Sequence, residues 1–160
     1  MKTKKIVLAS LLIALSFIIP LLPLPKFVLG PYSATLASHV PLMIGMFISP
    51  WVVVGAAIGS AGAFLMALGP VVALRALSHV LFGLVGAVML KKKMNLFLVC
   101  AVTMVLHAAG ELVVAMLFGS AFMAIFTTVG LLTMVHHVID FVISLVVIKA
   151  LTRANMLERI

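Results

Sequence analysis

The sequence predicts an all-α integral membrane protein, in which residues 1–160 form a single bundle of six transmembrane helices with both termini in the cytoplasm. Three observations predict this fold class. Of the 160 residues 66% are hydrophobic, only 9% are charged, and clusters of Pro, Gly and charge divide the apolar runs. A soluble domain carries roughly a quarter of its residues as charges, so this chain cannot cover a water-facing surface. Six spans of about 20 residues each leave no room for a soluble catalytic domain.

The net charge of +8 does not indicate a nucleic-acid-binding protein, because the sequence forms no basic face. The one cysteine, Cys100, lies in an apolar run. No disulfide framework is therefore possible, and the sequence does not indicate a redox compartment.

The first span is predicted at residues 5–22, where a basic start precedes an apolar run. This start resembles a signal peptide. However, no small-residue cleavage site follows it, and the run is long enough to cross a membrane, so we predict a retained helix. Residues 24–34 connect it to the second span and contain Lys26 and Tyr32.

The other spans are delimited by Pro, Gly and lysine clusters. Ser49-Pro50 and Gly69-Pro70 break a long apolar run, Lys91-Lys92-Lys93 ends the fourth span, and Gly119-Ser120 precedes the sixth. The predicted spans two to six are residues 35–48, 51–68, 70–90, 95–117 and 124–150. The second is short, so we expect protein to shield its outer part from lipid.

Basic residues orient a bundle, because they collect in cytoplasmic loops. With six spans, Lys26 lies outside, Arg75 lies within a span, and the other nine of the 11 basic residues are cytoplasmic. These nine are Lys2, Lys4, Lys5, Lys91, Lys92, Lys93, Lys149, Arg153 and Arg159.

Two pairs of small residues at i,i+4 spacing indicate close helix contacts. Gly55 and Gly59 form a GxxxG pair in the third span, which we interpret as packing within the bundle. Ser10 and Ala14 form a weaker pair in the first span, for which docking of a partner is an open alternative.

Eight ionisable residues lie inside the predicted spans, where such residues are costly and usually mark a site. Arg75 and His79, His107 and Glu111, and His136 and Asp140 are each four residues apart, so three helices each carry a polar face. Their depths, together with that of His39, predict a cavity that opens outward. His136 and His137 point about 100° apart, so one of the two is expected to be structural. A closed salt-bridge network of Arg75 with the carboxylates is the competing interpretation.

The ionisable residues are compatible with more than one class of ligand. Five histidines with two carboxylates suit a transition metal, but no two histidines are four apart on one helix and Arg75 adds a fixed cation, so we predict no metal. An organic ligand with a carboxylate and a flat polar ring fits better, because Arg75 can bind a carboxylate in a bidentate way. The chain has no HExxH or GxSxG motif, so we predict no enzyme activity.

Several segments resemble the substrate-binding S-components of energy-coupling factor (ECF) vitamin transporters. They are ASHVP at residues 37–41, MFISPW at 46–51 and LRALSH at 74–79, together with the basic start and the Pro-rich first connection. The closest likeness is to the niacin-type members. Metal-transporting members of the group begin with Met-His, whereas this chain begins Met1-Lys2.

The resemblance implies a small water-soluble vitamin, niacin as the best guess, captured from outside for ATP-driven uptake by a membrane coupling subunit and two ATPases. It implies no cofactor. Arg75 would bind the carboxylate and Tyr32 would close the site. The expected binding residues are Tyr32, His39, Arg75, His79, His107, Glu111, His136, His137 and Asp140. In the family an AxxxA pair on the first helix docks the coupling subunit, and the corresponding pair here is Ser10 and Ala14, with Ser in place of the first Ala. The open alternatives are another vitamin or precursor (pantothenate or thiamine-related) and a stand-alone proton-coupled carrier using His107, Glu111 and Asp140.

Overall fold

A computed structural model describes residues 2–29 and 32–157, so Gly30, Pro31 and the predicted cytoplasmic Arg159 lie outside the described residues, as does the side chain of Lys2. Long helices dominate the described chain, and a short β-hairpin follows the first of them. The elements are α1 (Lys2–Ile18), a 3-10 turn (Ile19–Leu21), β1 (Lys26–Leu29), β2 (Tyr32–Thr35), α2 (Val40–Met46), α3 (Pro50–Leu68), α4 (Pro70–Lys91), α5 (Leu96–Leu117), α6 (Phe122–Ile125), a π-helical turn (Phe126–Gly130) and α7 (Leu131–Arg153).

The helix boundaries follow from local capping chemistry at the breaks that the sequence predicts. The Ser49 hydroxyl accepts a hydrogen bond from the Trp51 backbone N–H at 3.2 Å, and Pro50 occupies the first helical position of α3. Gly69 ends α3 with φ +89°, a conformation that L side chains rarely adopt. Asn95 caps α5 by accepting a hydrogen bond from the Phe97 N–H at 2.8 Å.

Among the described residues, five helices are long and apolar enough to cross a membrane, which supports a helical membrane bundle but not six full spans. The predicted second span is the exception. Helix α2 covers only seven residues, or about 10 Å, against a bilayer core of about 30 Å. Pro41 and all other residues of α2 are buried, so protein surrounds this helix, as expected from its shortness.

The connection after the first span is a short β-hairpin, which the sequence analysis did not predict within the otherwise helical bundle. Strands β1 and β2 pair antiparallel, with Lys26 opposite Thr35 and Leu29 opposite Tyr32. Strand β1 is exposed along its length, whereas Tyr32 and Thr35 of β2 are buried against the bundle. Two strands alone are marginal in water, so the burial of β2 on the helices holds the hairpin in place.

The predicted sixth span begins at Phe122 and is interrupted, rather than running evenly over residues 124–150. A π-helical turn separates α6 from α7. The Thr128 hydroxyl donates to the Ala124 carbonyl at 2.8 Å within this region. Such turns insert an extra residue into a helix and often lie at functional sites.

The contact between α1 and α3 confirms that Gly55 and Gly59 pack inside the bundle. A Cβ at Gly59 would lie 3.1 Å from the Ile13 carbonyl oxygen, and one at Gly55 would lie 2.6 Å from Ile13 Cδ1. The other face of α1, with Ser10 and Ala14, is exposed.

Candidate functional site

All eight ionisable residues predicted inside the spans are buried, and they converge on one cluster between α4, α5, α7 and the residue before α2. None exposes more than 9% of its surface. The cluster consists of His39, Arg75, His79, His107, Glu111, His136, His137 and Asp140. Its carboxylates form the centres of two separate networks.

The first network surrounds Glu111 on α5. The Arg75 guanidinium on α4 pairs with Glu111 Oε2, and His79 Nε2 lies 3.0 Å from Oε1. His107 Nε2, one turn away on α5, lies 3.9 Å from the same oxygen. A guanidinium and a carboxylate that face each other in a buried place cancel their charges, so this network confirms neutralisation of Arg75 by Glu111.

The second network surrounds Asp140 on α7. Its Oδ1 accepts a hydrogen bond from the Ala37 backbone N–H at 3.0 Å, and its Oδ2 accepts one from the His39 N–H at 3.1 Å. His39 Nδ1 lies 3.0 Å from Oδ2, and His136 Nε2 lies 3.3 Å from it. Asp140 therefore fixes the turn that enters α2, and within the described residues its ion-pair partners are histidines.

A chain of imidazoles links the Glu111 network to the interior. His79 Nε2 lies 3.1 Å from His107 Nε2, and His107 Nδ1 lies 3.0 Å from His137 Nδ1. His137 Nε2 lies 3.0 Å from the Thr103 hydroxyl, which donates to the Val99 carbonyl. Val99 belongs to the main apolar core together with Phe82, Met89 and Phe141. The imidazole chain thus ends against apolar side chains.

The two networks border a small cavity of about 20 Å³, enough for about one water molecule. Seven of the nine predicted binding residues line it: Tyr32, His39, Arg75, His79, His107, Glu111 and His136. The other two, His137 and Asp140, do not line the cavity but contact residues that do. Of the adjacent pair on α7, His136 therefore faces the cavity and His137 contacts the imidazole chain.

Several residues of the site were missed by the sequence analysis. Phe82 packs against the histidines from the apolar core, with its ring centroid 4.7 Å from that of His107 and 5.6 Å from that of His79. Thr133 and Ser38 line the cavity. Helical spacing could have identified some of them, since Phe82 follows His79 by three residues and Thr133 precedes His136 by three.

Tyr32 closes the cavity from the hairpin. Its hydroxyl donates to the Leu132 carbonyl at 3.2 Å, and its ring packs with Ile125 and Val129 around the π-helical turn. Burial, reinforced by the negative charge of Glu111, raises the pKa of Tyr32 to about 12. The phenol is therefore protonated at physiological pH, and it remains a hydrogen-bond donor.

Two groups of three residues have ligand atoms close enough together to hold a metal ion. One is His39, His79 and His107, and the other is His39, His136 and Asp140; in each the three ligand atoms lie within 4.8 Å of one another. The sequence argument against a metal considered pairs on one helix. It does not apply here, because each group combines ligands from at least two segments of the chain, and Arg75 is occupied by Glu111.

Almost the whole length of this chain is similar in sequence to a known transporter. The chain is 32% identical, over 170 aligned positions, to the Niacin transporter NiaX of Lactococcus lactis subsp. cremoris (strain MG1363). The alignment covers 96% of this chain and 77% of that protein. No family model matches the chain, and no solved structure matches it.

Proposed function

The chain belongs to the niacin-type S-components of ECF vitamin transporters, and from this premise we propose that it captures niacin for uptake. It is a multi-pass protein of the cell membrane, and its family transports vitamins. A transport function agrees with the prediction that the chain is not an enzyme. The observation that carries the proposal is the convergence of seven predicted residues on one small cavity.

Niacin as the substrate is supported by the relative's name and by the chemistry of the cavity. Nicotinate carries a carboxylate and a pyridine ring. Arg75 offers the guanidinium for the carboxylate, while His79, His107 and His136 offer ring nitrogens and faces for the pyridine. Because Glu111 holds the guanidinium in the closed state, the vitamin must displace Glu111 or share Arg75 with it.

Opening of the hairpin would admit the ligand. A cavity of about 20 Å³ does not hold a pyridine ring. The hairpin closes it with Tyr32, whose hydroxyl bonds to α7 beside the π-helical turn. Breaking this bond and the packing of Tyr32 on Ile125 and Val129 would let β2 lift and expose Arg75 and the histidines. Tyr32 is therefore proposed as the residue that closes over bound vitamin.

The ECF partners are proposed to dock on α1. Only 22% of the span at Thr3–Leu21 is buried, against 44% of Pro70–Lys91, so α1 leaves most of its surface free within the bundle. Ser10 and Ala14 lie on that exposed surface. Small side chains let a partner helix approach closely. In this arrangement the coupling subunit and two ATPases would supply the energy for uptake.

Lys91, Lys92 and Lys93 at the end of α4 are proposed to lie in the cytoplasm. The cavity would then face outward, because His79 and Arg75 lie toward the start of α4, at the opposite end from these lysines. Both chain termini would lie on the cytoplasmic side.

Binding to the purified full chain tests the substrate. Isothermal titration with nicotinate should show binding, nicotinamide should bind more weakly because it lacks the carboxylate, and pantothenate and thiamine should not bind. Loss of the Arg75–carboxylate bond should weaken nicotinate binding about 10- to 100-fold, from the roughly 1.5–3 kcal/mol of a charged hydrogen bond.

The variant for this test is the double substitution Arg75→Met with Glu111→Gln, which removes the guanidinium without leaving Glu111 buried and unpaired. Lys26→Gln, on the exposed strand β1, is the matched control and should bind nicotinate like the parent. Equal affinity in the double variant would contradict the role of Arg75. Binding of pantothenate in place of nicotinate would contradict niacin.

A stand-alone proton-coupled carrier is the second candidate, and the imidazole chain from His79 to His137 is the observation that favours it. Liposomes that contain this chain alone distinguish the two candidates. We expect no uptake driven by a pH gradient, because the imidazole chain ends at Thr103 against apolar side chains. Uptake without ATPase subunits would establish the carrier instead.

A further inference from the structure

The charges of the buried cluster do not balance when its histidines are neutral. Arg75 cancels Glu111, whereas Asp140, which is fully buried, is paired only with His39 and His136 among the described residues. One negative charge therefore remains in the cluster. An unbalanced charge inside a membrane protein is costly, and this one would also repel an anionic vitamin. A bound cation beside Asp140 would remove both problems.

The atoms around Asp140 have the spacing of metal ligands. Zinc binds imidazole nitrogen and carboxylate oxygen at about 2.1 Å, which separates neighbouring ligands by about 3.0 Å in octahedral and about 3.4 Å in tetrahedral geometry. His39 Nδ1 and His136 Nε2 lie 3.0 Å and 3.3 Å from the same oxygen, Asp140 Oδ2. The two imidazole rings meet edge to face, with centroids 4.7 Å apart.

The His136 nitrogen provides an independent indication of a ligand. His136 is 91% buried, since 9% of its surface is exposed. Its Nε2 has no hydrogen-bond partner among the described residues, although Asp140 Oδ2 is within reach. The geometry is thus not that of a donor directed at an acceptor. A buried imidazole nitrogen without a hydrogen-bond partner, 3.3 Å from a carboxylate oxygen, is an arrangement that a cation between the two would satisfy.

Asp140 is also oriented in the way that metal-bound carboxylates are. The Ala37 and His39 backbone N–H groups hold its two oxygens at 3.0 Å and 3.1 Å, and such outer hydrogen bonds fix ligand orientation and raise affinity. His39 and His136 line the cavity, so an ion can enter from there and keep open coordination positions toward it.

We propose that His39, His136 and Asp140 bind one divalent transition-metal ion at the edge of the cavity. Two imidazoles and one carboxylate suit ions of the Zn²⁺ and Fe²⁺ class. The open positions would accept the carboxylate or the pyridine nitrogen of the vitamin. This second role rests on the proposed function, whereas the ion site does not.

Metal content of the purified full chain tests the site, with Zn²⁺ as the probe. After treatment with a chelator and addition of Zn²⁺, the parent protein should retain one ion per chain by mass spectrometry of the metal. His136→Gln and Asp140→Asn should lower Zn²⁺ affinity at least about 100-fold. His137→Gln is the matched control, because His137 belongs to neither ligand group, and it should stay within about threefold of the parent.

X-ray absorption of the zinc-loaded parent protein gives a second readout that does not depend on the folding of any variant. Two imidazoles and oxygen ligands are expected in the first coordination sphere. Retention of less than one Zn²⁺ per chain, loss of the ion in His137→Gln, or its survival in His136→Gln would overturn the proposal. So would three imidazoles at the ion, because they would place it at His79 and His107.

Nicotinate titrations with and without Zn²⁺ separate this proposal from the proposed function. Zinc should tighten nicotinate binding at least about tenfold, the effect of one charged contact. Nicotinate that binds equally well to chelator-treated protein would overturn the role of the ion and leave the proposed function standing. A zinc-loaded protein that binds no nicotinate would contradict the proposed function and leave the ion site standing.

Discussion

Glu111 and Asp140 are two buried carboxylates in one cluster, and they are stabilised in different ways. Glu111 faces the full positive charge of Arg75. Asp140 faces two backbone N–H groups and two imidazoles. Burial alone therefore does not define the role of a carboxylate. The charges of Glu111 and Arg75 cancel. Asp140 keeps a negative charge when its histidine partners are neutral, and a cationic ligand can bind to it.

Breaking the Glu111 network should have the largest effect on stability. Glu111→Gln leaves the Arg75 guanidinium buried without its carboxylate, and removal of one partner of a buried ion pair costs about 3–5 kcal/mol. The free energy of unfolding of the purified protein, from denaturant titration in detergent, measures this loss.

The matched control for Glu111→Gln is the double variant that also carries Arg75→Met. It removes both charges and should recover most of the lost stability, because apolar replacement of a buried pair is often neutral. A double variant as unstable as Glu111→Gln alone would show that the charge of Arg75 is not the cause. A loss of less than about 1 kcal/mol in the free energy of unfolding of Glu111→Gln would contradict the claim that the two carboxylates are stabilised in different ways.

Breaking the Asp140 network should have a smaller and more local effect. Asp140→Asn keeps one acceptor oxygen and loses the other, so one N–H of the turn is left unpaired at a cost of about 1–3 kcal/mol. Ala37 in that turn has φ +64°, a left-handed conformation that is strained for alanine. Hydrogen exchange of the Ala37 and His39 amides should therefore become faster.

Ser144→Ala is the matched control for Asp140→Asn. It lies one turn further along α7, and its hydroxyl donates to the Asp140 backbone carbonyl at 2.7 Å, so its loss leaves the carboxylate untouched. We expect unchanged exchange at Ala37 and His39. Equal protection of both amides in Asp140→Asn and the parent would show that the carboxylate does not hold the turn.

Spacing along the sequence identified the residues of these two networks, but not which residue belongs to which network. The i,i+4 pairs placed Arg75 with His79 and His107 with Glu111 on single helix faces, and those faces do meet. Which carboxylate meets Arg75 depends on how α4, α5 and α7 pack, and sequence periodicity carries no information on that packing. The open question of a salt-bridge network is answered for Glu111 and not for Asp140.

The fold was predictable where one residue type determines the backbone. Pro50 and Gly69-Pro70 set helix ends that the structure reproduces. The hairpin was not predicted, because its strands have only four residues each and depend on contacts of Tyr32 with distant helices. Such tertiary contacts override local propensity.

Tyr32→Phe should have the smallest effect, and it tests whether the hairpin couples to the carboxylates. Loss of the hydrogen bond to the Leu132 carbonyl should cost about 0.5–1.5 kcal/mol. Burial, reinforced by the negative charges of Glu111 and Asp140, raises the Tyr32 pKa from 10.0 to about 12. The folded protein thus holds this proton more tightly than the unfolded chain does. Tyr32 therefore contributes stability that is complete below pH 10 and is lost as the pH rises from 10 to 12.

Denaturant titrations of the parent and Tyr32→Phe between pH 8 and 12 measure this contribution. The stability difference between the two proteins should be constant below pH 10, and above it the parent should lose stability relative to the variant. Identical alkaline profiles would mean that folding does not raise the pKa of Tyr32. Because Glu111 is neutralised by Arg75 and Asp140 is not, a steeper alkaline loss in Glu111→Gln/Arg75→Met than in Asp140→Asn would identify Asp140 as the charge that Tyr32 senses.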